Sequence, residues 1–134
     1  MEFTSAQKQM MTAVIDRIIP RDDYPSASEA GVMNYLERQF RGDAALYGQD
    51  MVDLFQLIDA SAHGKFAKSF LNLSDGQRDD VLVSVEGNGS FQRLMNMTQE
   101  GYYADPSNGG NVDQVAWTMI GFEPRDRGNW ENKR

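Results

Sequence analysis

The sequence predicts an all-α single domain of about six short helices. Three observations carry that prediction. Apolar residues recur at the helical period along most of the chain. Short Gly, Pro, Asn and Ser breaks separate the runs. No stretch of useful length alternates apolar with polar residues, so no strand is expected. A chain of 134 residues can bury one ordinary hydrophobic core but not two. Residues 1–134 are therefore expected to form one unit, with 123–134 an extended tail.

Each element has its own local signal. Thr4, with Gln7 three residues on, makes a capping-box start to the first helix. Met11, Val14, Ile15 and Ile18 follow at helical spacing, and Pro20 ends the run. Arg21 to Ser28 reads as a polar turn in which Pro25 forces an extended path. The second helix carries Val32, Tyr35, Leu36 and Phe40 on one side, and Gly42 breaks it. A third is expected from about Ala44 to Ala62, with Met51, Leu54, Phe55, Leu57 and Ile58 as its apolar face. Gly64 stands where a C-terminal glycine cap would fall.

After Phe66, Phe70 and Leu73, Ser74 with Gln77 forms a second capping box. It opens a short helix bearing Val81, Leu82 and Val85. Gly87, Asn88 and Gly89 make a turn, and Ser90 is read as the cap of the fifth helix. In that helix Phe91, Leu94, Met95, Thr98 and Tyr102 share one stripe. Ala104 to Gly110 is expected to be a rigid loop, and Asn111 to cap a last helix that stops at Gly121.

Composition narrows the function. Thirteen Lys and Arg against 20 Asp and Glu give a net charge of −7. That balance argues against nucleic acid and anionic membrane surfaces as general partners, since both draw on clustered basic charge. No apolar run approaches the ~18 residues of a spanning helix. With no cysteine, disulfides, thiolate chemistry and Cys-based zinc sites are excluded. Met1 to Gln9 has neither an Arg pair nor the apolar core of an export signal. The compartment stays open: cytoplasmic as the sequence reads, periplasmic if an export signal was removed or lies on a partner.

Candidate chemistry is thin. His63 is the single histidine and falls at the expected end of the third helix, where a basic side chain meets the helix dipole favourably. Asp22, Asp23 and nearby Glu29 could serve acid–base work or hold a hard cation, but an interhelical loop is where Asx turns and solvated carboxylates normally sit. The run Asp105-Pro-Ser-Asn-Gly-Gly-Asn111 fails as a calcium loop, because Ala116 stands where a closing Glu is required. Nor does Gly109-Gly110 match a dinucleotide fingerprint or a P-loop. Its plainer meaning is backbone geometry, with Pro106 fixing a turn and the glycines taking positive φ.

The C-terminal third is richer. In the last helix Val112, Val115, Ala116, Met119 and Ile120 form one stripe, and Trp117 falls at its edge. Tyr103 likewise lies off the stripe that holds Tyr102. Off-stripe Trp and Tyr are residue types enriched at protein interfaces. The alternative, that Trp117 only widens the core face, stays open here.

Glu100-Gly-Tyr-Tyr-Ala-Asp-Pro-Ser-Asn-Gly-Gly-Asn111, followed by Trp117 and Ile120-Gly-Phe122, resembles the signature of the gluconate 2-dehydrogenase subunit 3 family. Asp16-Arg-Ile-Ile-Pro20, then Asp22-Asp23 and Glu29-Ala-Gly-Val32, is similar to that family's opening motif. The resemblance covers roughly Thr4 to Phe122. It departs from the pattern at Asn108, where an aromatic is usual, and in the ending Gly121-Phe-Glu-Pro124.

The resemblance implies a non-catalytic small subunit. Its partner would be a large FAD-dependent sugar dehydrogenase of the glucose–methanol–choline class, acting on gluconate or on the 3-position of glucosides. FAD and the catalytic base would belong to that partner, and some such complexes add a c-type cytochrome. The expected partner interface is Tyr102, Tyr103, Asp105, Pro106, Gly109, Gly110, Asn111, Trp117 and Phe122. No catalytic, cofactor-binding or metal residue is expected in this chain. Two other readings stay open: an independent helical binding or scaffold module, and an enzyme in which Asp22, Asp23 and His63 converge.

Overall fold

The computed structural model describes residues 2–104. They form five α-helices: α1 (Ser5–Ile18), α2 (Val32–Arg41), α3 (Gly48–Phe66), α4 (Asp75–Ser84) and α5 (Gly89–Tyr103). Two short 3-10 turns, Ala45–Tyr47 and Phe70–Asn72, precede α3 and α4. The described residues contain no strand, so the all-α reading holds. The expected last helix from Asn111 to Gly121 and the tail 123–134 lie outside them.

Helix starts follow the side chains that cap them. At α1 the Thr4 hydroxyl accepts from the Gln7 N–H at 3.1 Å, and the Gln7 side chain accepts from the Thr4 N–H at 2.8 Å. Ser74 and Gln77 repeat the arrangement at α4, at 3.2 and 3.0 Å. The stop at Pro20 also works as expected. Ile19 leaves the helical region (φ −126, ψ 87) because proline crowds the backbone of the residue before it. At α5 the cap is Asn88 rather than Ser90. Its carbonyl oxygen accepts from Ser90 N–H (2.8 Å) and Phe91 N–H (3.1 Å), so the helix starts earlier than the serine suggested.

The third helix departs most from the sequence reading. It begins at Gly48, not near Ala44, because the chain first makes the 3-10 turn Ala45–Tyr47. It then runs straight through Gly64 and ends at Phe66, and the left-handed cap is Ala67 (φ 57). What turns the chain is Asp59. Its carboxylate accepts from the Phe70 N–H at 2.8 Å and the Ser69 hydroxyl at 3.1 Å, drawing the following segment back along the helix. Leu57 is exposed, since the buried face of α3 is Met51, Leu54, Phe55, Ile58 and Ala62.

One core joins the helices. Met11, Val14 and Ile15 of α1 meet Leu36 and Phe40 of α2, Met51, Leu54 and Ile58 of α3, Val81 of α4 and Leu94 of α5, all fully buried. The buried stripe of α5 is Phe91, Leu94, Met97, Thr98, Gly101 and Tyr102; Met97 takes the place assigned to Met95, which sits half-buried at the margin. Buried Thr98 satisfies its hydroxyl on the Leu94 carbonyl at 2.7 Å. Phe3 closes one end, edge-on to Phe40 at 5.3 Å. Arg93 of α5 stacks 3.5 Å over Tyr47 and ties the first 3-10 turn to the bundle.

Candidate functional site

The opening motif and the described start of the C-terminal motif, Glu100 to Ala104, lie far apart along the chain and meet at one corner of the bundle. Its floor is the α1–α2 loop, and the loop's shape is set residue by residue. The Asp16 carboxylate accepts from both the N–H (2.8 Å) and the hydroxyl (2.6 Å) of Ser28. Ser26 and Glu29 form a capping box on the turn that follows, at 2.9 and 3.3 Å. Ile19 C=O accepts from Ala27 N–H at 3.0 Å. Arg21 reaches Glu29 at 2.7 Å. The Ser26 N–H, foremost, and then Arg21 hold the Glu29 carboxyl below the ordinary carboxylate range, against the opposing effect of desolvation.

At the tip, the Asp22 side chain accepts from Tyr24 N–H (2.9 Å), and Asp22 N–H donates to Tyr24 C=O (3.1 Å). This is an Asx turn, the structural use that a loop aspartate normally finds. After Glu29, Ala30 leads through left-handed Gly31 (φ 86) into α2.

The C-terminal end of α5 forms the wall. Tyr102 is 4% exposed, and its hydroxyl donates to the Pro25 carbonyl at 2.8 Å. Burial, foremost, pushes this hydroxyl up from its usual range, with the nearby Tyr103, Asp22, Glu29 and Tyr24 acting in the same direction. One residue back, Gly101 faces α2. A Cβ there would stand 2.8 Å from Tyr35 Cδ2, 3.1 Å from Tyr35 Cγ and 3.2 Å from Val32 Cγ1. Only glycine lets the two helices approach this closely. Burial, then the Glu100 charge, also pushes the Tyr35 hydroxyl up. Tyr103, half-buried, packs edge-on to Tyr102 at 5.3 Å.

Across α1 from this corner, Arg17 fixes α4. Its guanidinium donates to both Asp79 carboxylate oxygens, at 2.8 and 3.0 Å, and lies 3.5 Å from Asp75. These bonds raise the Arg17 pKa further, chiefly through the hydrogen bond to Asp79.

Of the residues expected at an interface, Tyr102 is in the core and Tyr103 at its edge. Tyr102 is therefore a packing residue that ties α5 to the α1–α2 loop, and its ring is not presented to solvent. Asp105, Pro106, Gly109, Gly110, Asn111, Trp117 and Phe122 lie outside the described residues. His63 and Asp22 make their contacts within their own elements: His63 sits 3.6 Å from Asp59 in the last turn of α3, as a helix-end base should. Among the described residues no group of three His, Asp or Glu side chains is placed to hold a metal ion, and no helix is long and apolar enough to cross a membrane.

Sequence reasoning missed four contributors. Ser26-Ala-Ser-Glu29 carries a legible capping-box signature. Asp16, Arg17 and Gly101 gave no such signal, because each is explained by a partner on another element.

No curated protein and no solved structure matches the chain. The family model described as gluconate 2-dehydrogenase subunit 3 does match, over residues 5–124, a stretch that takes in both sequence motifs. The chain therefore belongs to the gluconate 2-dehydrogenase subunit 3 family, whose members are subunits of a dehydrogenase complex.

Proposed function

We propose that this chain is a non-catalytic small subunit that binds and stabilises a large FAD-dependent sugar dehydrogenase of the glucose–methanol–choline class, acting on gluconate or a glucoside. One observation supports the reading: the chain belongs to this family, and Tyr102 and Gly101, at the start of its second motif, pack against the α1–α2 loop and α2. FAD and the catalytic base belong to the partner, and a c-type cytochrome accepts the electrons where the complex includes one. The contact patch is Tyr103, Asp105, Pro106, Gly109, Gly110, Asn111, Trp117 and Phe122, with Tyr102 as its buried root. Trp117 is the anchor, being the large aromatic at the edge of the apolar stripe that the sequence predicts for residues 112–120.

Binding to the folded form alone stabilises it by mass action. At a partner concentration about 100 times the dissociation constant the gain is about 2.7 kcal/mol. The test is a thermal melt of this chain with and without the purified flavoprotein, together with an assay and absorbance spectrum of the chain alone. The expected result is a melt raised by several degrees, no dehydrogenase turnover and no flavin band. Identical melts at saturating flavoprotein, or a yellow reducible preparation of this chain by itself, would overturn the reading.

A further inference from the structure

We propose that the α1–α2 loop, with Tyr24 at its tip, is a second half of the contact with the dehydrogenase subunit, and that it meets a shallow apolar notch beside a Lys or Arg of that partner. The inference rests on the subunit reading above and adds the surface, the anchor and the chemistry it meets.

Four observations carry it. Among the described residues Tyr24 is the most exposed aromatic, at 41%; the others lie in the core or at its edge. Tyrosine is a residue type that interfaces favour, because its ring offers contact area with few rotatable bonds. Its backbone is also held at both polar groups, the N–H by the Asp22 carboxylate and the C=O by the Asp22 N–H, so docking orders little that is not ordered already.

The loop also adjoins the end of α5. Pro25, the residue after Tyr24, accepts the Tyr102 hydroxyl, and the Tyr102 hydroxyl senses the charges of Tyr24, Asp22 and Glu29 as well as Tyr103. Tyr103, half-buried and packed on Tyr102, therefore lies on the same side of the bundle end as the loop. Charge supplies the last observation. Arg21 is matched by Glu29, and Asp22 holds Tyr24, which leaves Asp23 exposed with neither hydrogen bond nor ion pair among the described residues. A basic side chain on the partner would meet that carboxylate.

The experiment measures binding of the full chain to the purified flavoprotein subunit by calorimetry, with the melting temperature of each variant alongside. Tyr24→Ala is expected to bind at least about tenfold more weakly, as truncated aromatic anchors do. Asp23→Lys is expected to weaken binding several-fold, the loss shrinking at high salt. Leu46→Ala, at a 76% exposed position on the first 3-10 turn, is the control and should bind as the parent does.

If Tyr24→Ala loses its fold, a photo-crosslinking residue in place of Tyr24 decides the matter. A crosslink to the flavoprotein supports the proposal. A crosslink only to another copy of this chain, or none while the complex forms, overturns it. Unchanged affinity in Tyr24→Ala and Asp23→Lys overturns the loop assignment alone. Failure of the parent chain to bind overturns the subunit reading on which it stands.

Discussion

Two joints in this molecule connect helices in opposite ways. The α3–α4 hairpin is held by neighbours in sequence: Asp59 binds Ser69 and Phe70, Arg78 donates to the Phe70 and Leu71 carbonyls at 3.1 and 2.7 Å, and Ser74 caps the next helix with Gln77. The corner between the α1–α2 loop and α5 is held across the chain, with Tyr102 bonded to Pro25 77 residues away and Gly101 pressed against Val32 and Tyr35. Local closures cost little chain entropy and can form early, whereas the corner exists only once α1, α2 and α5 have assembled. Of the motif residues that the structure describes, Asp16, Asp22, Glu29, Gly101 and Tyr102 build the corner, and none belongs to the α3–α4 hairpin.

The largest effect should come from the hairpin. Phe70, fully buried beneath Arg78, is its apolar pin. Phe70→Ala is expected to lose about 3–5 kcal/mol in denaturant unfolding. A loss below about 1 kcal/mol would show that the polar contacts alone hold the hairpin, and the contrast between the joints would weaken.

Next comes the close approach at the corner. Gly101→Val places branched carbon where Tyr35 already stands and should cost about 1–3 kcal/mol. The cost should shrink when Tyr35→Ala is added. Strict additivity in that double-mutant cycle would mean that the two residues do not touch.

A smaller effect belongs to the hydrogen bond. Tyr102→Phe leaves the Pro25 carbonyl unpaired and should cost about 0.5–1.5 kcal/mol. The sign of its pH dependence follows from the raised hydroxyl. The folded state keeps the proton that the unfolded chain releases near pH ~10, so the contribution is complete below that pH and is lost as pH rises through the folded value. Wild-type stability should therefore fall above pH ~10, and more gently in Tyr102→Phe. It will not become flat, because the Tyr35 hydroxyl is shifted in the same direction. Equal slopes in the two proteins would remove Tyr102 from the account.

The smallest prediction contrasts two glycines. Gly64 lies within α3 with nothing near its missing Cβ, so Gly64→Ala should stabilise the protein by up to about 1 kcal/mol through helix propensity. A destabilised variant would show that α3 needs glycine there after all, for a contact beyond the described residues.

What could be read from the sequence was what one helical turn decides. Thr4–Gln7, Ser74–Gln77 and Pro20 set boundaries through groups at most a few residues apart, and the apolar stripes of α1 and α2 named their own core members. Family membership was legible for the same reason, since its motifs are contiguous runs, and the charge balance is a sum over composition. Tertiary structure decided the rest. Ala67 rather than Gly64 ends α3 because Asp59 reaches forward to Phe70. Leu57 is exposed and Met97 buried because the neighbouring helices settle how wide each buried face is. Gly101 and Tyr102 carried no local sign of their partners, for a close approach or a buried hydrogen bond is defined by two elements and is written in neither alone.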